Sequence, residues 1–124
     1  MLIRHKGSLQ VPQNTPETKI RFVSFDPMKV EYYLVVSSIE EALEICPDLF
    51  IFPLEKSEQE TMADLRANSL EAKNIDRETS LKIRSKYSVE AEFKALRTND
   101  QEYKTFIEQV VSEHNAAKDA LFAV

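Results

Sequence analysis

Lys82, Arg84 and Lys86 alternate with Leu81, Ile83 and Tyr87 in the stretch SLKIRSKYSVE. On a β-strand that alternation would line one face with cations roughly 6.6–6.8 Å apart, a row able to hold phosphates or carboxylates. No glycine-containing loop and no interleaved aromatics accompany the row, and Tyr87 alone could stack on a base. Lysine is also the usual residue for protecting an exposed strand edge. A solvated or edge-protecting role comes first, an acidic protein partner second, and nucleic acid is not expected. A helix through the segment would instead keep Lys82 and Lys86 on one face and turn Arg84 elsewhere. Both conformations stay open, because the glutamate- and lysine-rich flanks favour helix.

Other side chains with chemical potential are scattered. Glu40 and Glu44 would share a helix face with Glu41 beside them, and paired carboxylates can bind a metal or transfer protons. Acidic residues in a first helical turn are, however, ordinary partners of the helix dipole. His114 adjoins Ser112 and Glu113, but neighbours one and two residues back point away from it on a helix. A serine–histidine–acid triad therefore cannot be read there, and His5 has no partner in the sequence. Cys46, the single cysteine, excludes an internal disulfide and a multi-cysteine zinc site. It precedes Pro47 among apolar residues and reads as a small buried hydrophobe. Gly7, the single glycine, excludes the glycine-rich phosphate loop and the dinucleotide fingerprint. No catalytic, cofactor-binding or metal-binding residue is assigned, and no enzyme activity or cofactor is expected.

The elements that would carry these residues divide the chain at changes of texture. At 124 residues, 43% apolar and 30% charged, it is sized for one domain. No run approaches the roughly 20 apolar residues of a membrane span. The start, MLIRHKGSLQ, lacks a signal-peptide core, so a cytoplasmic setting is expected. Residues 1–18, with VPQNTPET, read as a strand fragment at best, then a loop or mobile arm. Residues 19–54 form a β-rich part. Its strands are IRFVSF (20–25) and VEYYLVV (30–36), joined as a hairpin across DPMK, and LFIFPL (49–54). Between them SSIEEALEI predicts a short helix at 38–46, capped by Ser37 or Ser38 and ended by Pro47.

Residues 55–124 are mainly helical. A helix at 57–73 has a thin apolar stripe. Ser88 caps a short helix with Val89, Phe93 and Leu96 at i, i+4 and i+7. After RTND, Asn99 caps a last helix, with Glu102 three residues on. Tyr103, Phe106, Ile107, Val110 and His114 recur there at steps of three and four and form a candidate interface. The fold class is α+β: a small antiparallel sheet packed on a short helix, followed by two or three helices. Residues 26–62 hold nine acidic and two basic residues, an acidic middle within a net charge of −5.

From Tyr87 the chain runs YSVEAEFKALRTNDQEYKTFIEQVVSEHNAAKDAL. Tyr87, Ser88, Glu90, Lys94, Leu96, Arg97, Glu102, Tyr103 and Phe106 make this stretch similar to the carboxyl-terminal part of short accessory proteins of bacteriophage tail gene clusters. The likeness covers 87–121 and is mostly a pattern of helices and caps. It implies a virion-assembly or tail-accessory role, in host cytoplasm or virion, without enzyme activity, and it transfers no functional residue. The expectation is thus a non-enzymatic interaction or assembly protein with a protein partner, forming homo-oligomers through its carboxyl-terminal helices. The alternative is a small acidic inhibitor or regulator that binds a basic protein through residues 26–62.

Overall fold

A computed structural model describes residues 1–6, 21–25, 28 and 31–123. Among these residues the chain is α+β, with four strands and five helices: β1 (Leu2–Lys6), β2 (Arg21–Val23), β3 (Glu31–Val35), α1 (Ile39–Ile45), β4 (Ile51–Phe52), α2 (Glu58–Asn68), α3 (Leu70–Lys86), α4 (Val89–Arg97) and α5 (Gln101–Ala120).

The strands form one antiparallel sheet in the order β2-β3-β1-β4. The expected β2–β3 pair is present, while most of the DPMK turn lies outside the described residues. Residues 2–6 correct the arm expected over 1–18. They form β1, an interior strand, with Ile3 opposite Leu34 and Leu2 opposite Val35. The rest of that arm, 7–18, lies outside the described residues. The short LIRHK segment has few apolar residues of its own, and pairing on both edges supplies what local propensity lacks.

Both sheet faces are covered, which explains why the β3 segment reads as an almost unbroken apolar run. On one face Ile3, Leu34 and Val36 pack with Ala42, Cys46 and Leu49, so α1 and the segment after it cover that side. On the other, Leu2, Val23 and Val35 pack with Leu65 of α2, flanked by Tyr33, Leu54, Met62 and Phe122. Leu34 and Leu65 are fully buried. Each such side chain contributes about 1.5–3 kcal/mol relative to exposure.

Every helix begins with a side-chain oxygen accepting the N–H three residues on: Ser38 from Glu41, Ser57 from Glu60, Ser69 from Ala72, Ser88 from Ala91 and Asp100 from Tyr103. Four helices follow the sheet where two or three were expected, because the segment from Ser57 breaks at Ser69. That buried serine ends α2 by donating its N–H to Leu65 and caps α3 with its hydroxyl. The break is pinned to the sheet. Leu70 donates its N–H to the Ser24 carbonyl, and the Glu71 carboxylate accepts the Ser24 N–H at 3.0 Å.

Residues 80–86 belong to α3, which decides against the strand. Ala72, Ile75, Thr79 and Ile83 recur at steps of three and four and are buried or half-buried. Thr79 hides this stripe from an apolar-only reading. At the turn into α5, Asp100 rather than Asn99 is the cap. Asn99 has φ 56° and sits just past the end of α4. The Asp100 N–H donates to Ala95 and the Asn99 N–H to Leu96, completing a Schellman end. Asparagine is the residue other than glycine that best accepts that left-handed backbone.

Candidate interaction surfaces

The helical half is built on α3 and α5, which run antiparallel. At one level the Asp76 carboxylate accepts from His114 Nε2 at 2.7 Å and from Lys118 Nζ at 2.9 Å. A carboxylate only accepts, so Nε2 of His114 carries the proton. The His114 bond first, and Lys118 second, hold the Asp76 carboxyl below its ordinary range. His114 is therefore half-buried at the core edge with an acid partner 38 residues away, not with its sequence neighbours Ser112 and Glu113. Arg66 pairs with Asp119 nearer the sheet.

The cations of the opening stretch disperse around this helix pair. Lys82 reaches Glu113 at 2.7 Å, Arg84 reaches Glu92 at 3.0 Å, and Lys86 Nζ lies 4.5 Å from the Phe106 ring centroid. The row of parallel cations expected on a strand face therefore does not exist. Helical geometry turns successive residues about 100° apart, and each cation meets a different partner. Lys82 in turn holds the Glu113 carboxyl below its usual range.

Above this level the rings of Tyr87, Tyr103 and Phe106 gather, with centroids 5.0 and 5.5 Å from that of Tyr87. The Tyr103 hydroxyl donates to Glu92 at 2.6 Å. Burial, reinforced by that carboxylate, pushes the Tyr103 phenol up to about 12. The bonds from Tyr103 and then Arg84 hold Glu92 below the usual carboxylate range. The candidate interface on α5 is thus largely spent inside the chain. Tyr103 and Val110 are 7% and 3% exposed, and Phe106, Ile107 and His114 are half-buried.

These contacts determine how α4 sits. Glu92 points to Tyr103 and Arg84, and Ala95 is the buried residue of the helix. The predicted stripe of Val89, Phe93 and Leu96 consequently faces solvent, at 52%, 64% and 58% exposure. Sequence periodicity finds this stripe but does not say which way it faces. What orients it is Glu92 together with Ala95, an acid on one flank of the stripe anchored to Tyr103 and Arg84 and a small buried residue farther round the helix.

The acidic residues singled out on α1 separate by environment. Glu40 and Glu44 are exposed, as are Ile39 and Leu43 beside them, whereas Glu41 is half-buried and accepts from the Ser37 hydroxyl at 2.8 Å. Among the described residues no three His, Cys, Asp or Glu side chains come together as a metal-holding group. Cys46 is buried, which pushes its thiol up. His5 is buried in the sheet, where its Nδ1 accepts the Phe50 N–H at 3.0 Å. The α3–α5 seam leaves a hollow of about 130 Å³ lined by Ile75, Thr79, Val110 and His114. No described helix is long and apolar enough to cross a membrane. Comparison with protein-family models, curated proteins and solved structures finds no match.

Proposed function

We propose that the chain is a non-enzymatic protein-interaction or assembly protein that works through its helical half. The observation that carries this reading is the outward apolar stripe of α4, held in place by a half-buried phenol–carboxylate contact on one flank. Solitary exposed apolar residues are ordinary, but a helix with its apolar side turned to solvent marks an interaction surface. The likeness to phage tail accessory proteins expected for residues 87–121 would make that role one in a virion or tail. Light scattering on the purified chain, from low to high concentration at two salt levels, tests the self-assembling form of the proposal. The expected result is a mass that rises with concentration to a defined multiple of the monomer. A strict monomer would remove self-assembly from the reading.

A second reading, an acidic inhibitor or regulator of a basic protein, is favoured by one observation. Glu40 and Glu44 are exposed on α1 beside exposed Ile39 and Leu43. Such a surface would bind a cationic target in a salt-sensitive way. Binding to poly-lysine at low salt that is lost in Glu40→Lys/Glu44→Lys would support it, and binding unchanged in that variant would not.

A further inference from the structure

We propose that α4 is a two-fold interface between copies of this chain, formed by antiparallel packing of its exposed stripe on itself. This rests on the assembly reading and names its partner as a second identical chain. The argument is one of charge complementarity. The first turn of α4 carries Glu90 and Glu92, and the last carries Lys94 and Arg97. Glu92 is used within the chain, by Tyr103 and Arg84. Glu90 and Arg97 are exposed, and among the described residues neither has an ion-pair partner.

Their placement on the helix matters as much as their sign. At about 100° per residue, Arg97 and Glu90 lie only about 20° apart around the axis, on the same flank of the stripe. Along the axis Glu90 lies about 4.5 Å before Phe93 and Arg97 about 6 Å after it. A two-fold axis through the Phe93 level, perpendicular to both helices, keeps that flank on one side while reversing direction. Glu90 then comes level with the partner's Arg97, within about 1.5 Å along the axis, and the pair forms twice. Phe93 meets its own copy, and Val89 meets the partner's Leu96. A parallel pairing would place the two flanks on opposite sides and leave both charges unanswered. A self-complementary patch of this kind is what a closed dimer requires.

The stripe is short, so the dimer is expected to be concentration-dependent, with Phe93 at its centre carrying most of the binding. Sedimentation equilibrium on the full chain tests this with three variants. Phe93→Asp should weaken association roughly thirtyfold or more while keeping the melting temperature that the wild type shows at monomeric concentrations. Arg97→Glu should weaken it at low salt, and Glu90→Arg/Arg97→Glu should restore it, because the swapped pair re-forms across the axis. Three results would overturn the proposal: unfolding of Phe93→Asp, a double swap no tighter than the single, or a wild-type dimer indifferent to all three variants. The last would leave the assembly reading standing and move the interface elsewhere. A wild type monomeric at every concentration would remove this proposal and the self-assembling form of the assembly reading.

Discussion

Helices α4 and α5 carry comparable apolar stripes in sequence and have opposite fates. Val89, Phe93 and Leu96 of α4 face solvent, whereas Tyr103 and Val110 of α5 are buried. The difference lies in what each helix offers on its other side. Helix α5 spans 20 residues and lies along α3, so its stripe finds Ile75 and Thr79 across the seam. Helix α4 has nine residues and is held at one end of that pair by Glu92 and Ala95. Amphipathicity states that a face seeks apolar company; it does not say whether the company belongs to the same chain.

The largest consequence follows from that contrast. Phe106→Asp together with Val110→Asp places carboxylates in the α3–α5 seam and should unfold the helical half, because an uncompensated charge there costs several kcal/mol. Circular dichroism should show loss of cooperative melting. The matching substitution in α4, Phe93→Asp, should leave the melt within about 0.5 kcal/mol of wild type at concentrations where the wild type is monomeric, as surface changes do. Equal destabilisation by both would erase the distinction between the helices.

Tyr103→Phe removes the phenol that anchors Glu92 and should cost about 1.5 kcal/mol by urea denaturation. Hydrogen exchange in α4 should quicken more than in α5. At the junction between the helices, Asn99→Ala should cost about 1 kcal/mol or slightly more through its left-handed backbone. Asn99→Gly should be neutral or stabilising in the same thermal melt.

The smallest effect is the response to pH. Asp76 and Glu92 both have carboxyls held below their unfolded range. Their contribution is present above about pH 4, the unfolded value, and is lost as pH falls through their lower folded values. Tyr103 has the opposite sign. Its phenol is raised to about 12, so its contribution is intact below about pH 10 and is lost as pH climbs toward its folded value. Asp76→Asn should flatten the acid limb through α3–α5, and Glu92→Gln should flatten it through α4, both read from melting temperature against pH. An acid limb unchanged in both variants would show that these contacts do not couple to folding.

Much of this architecture was legible before any coordinates. The β2–β3 pair, the α1 helix capped at Ser37 or Ser38, the Ser88 cap and the α5 stripe all follow from local patterns of alternation, period and capping. The errors share a cause. Residues 2–6 gain their strand from neighbours on both edges, the most nonlocal contacts in the sheet. The segment 80–87 alternates charge like a strand, yet its helical partners, Glu113 and Phe106, lie more than 19 residues away. Asp100 took the cap from Asn99 because Asn99 was needed in the left-handed turn that ends α4.

Local chemistry thus determined where helices begin, which stretches are apolar and which phosphate-loop and disulfide chemistries a chain with one glycine and one cysteine cannot support. Period and caps act within a few residues, so they are written in the chain itself. Which stripe is buried, which acid meets which base, and the outward turn of α4 were decided only in three dimensions. Those outcomes depend on Glu92 meeting Tyr103 and Arg84, and on Asp76 meeting His114 and Lys118, pairings that exist only once distant segments are brought together.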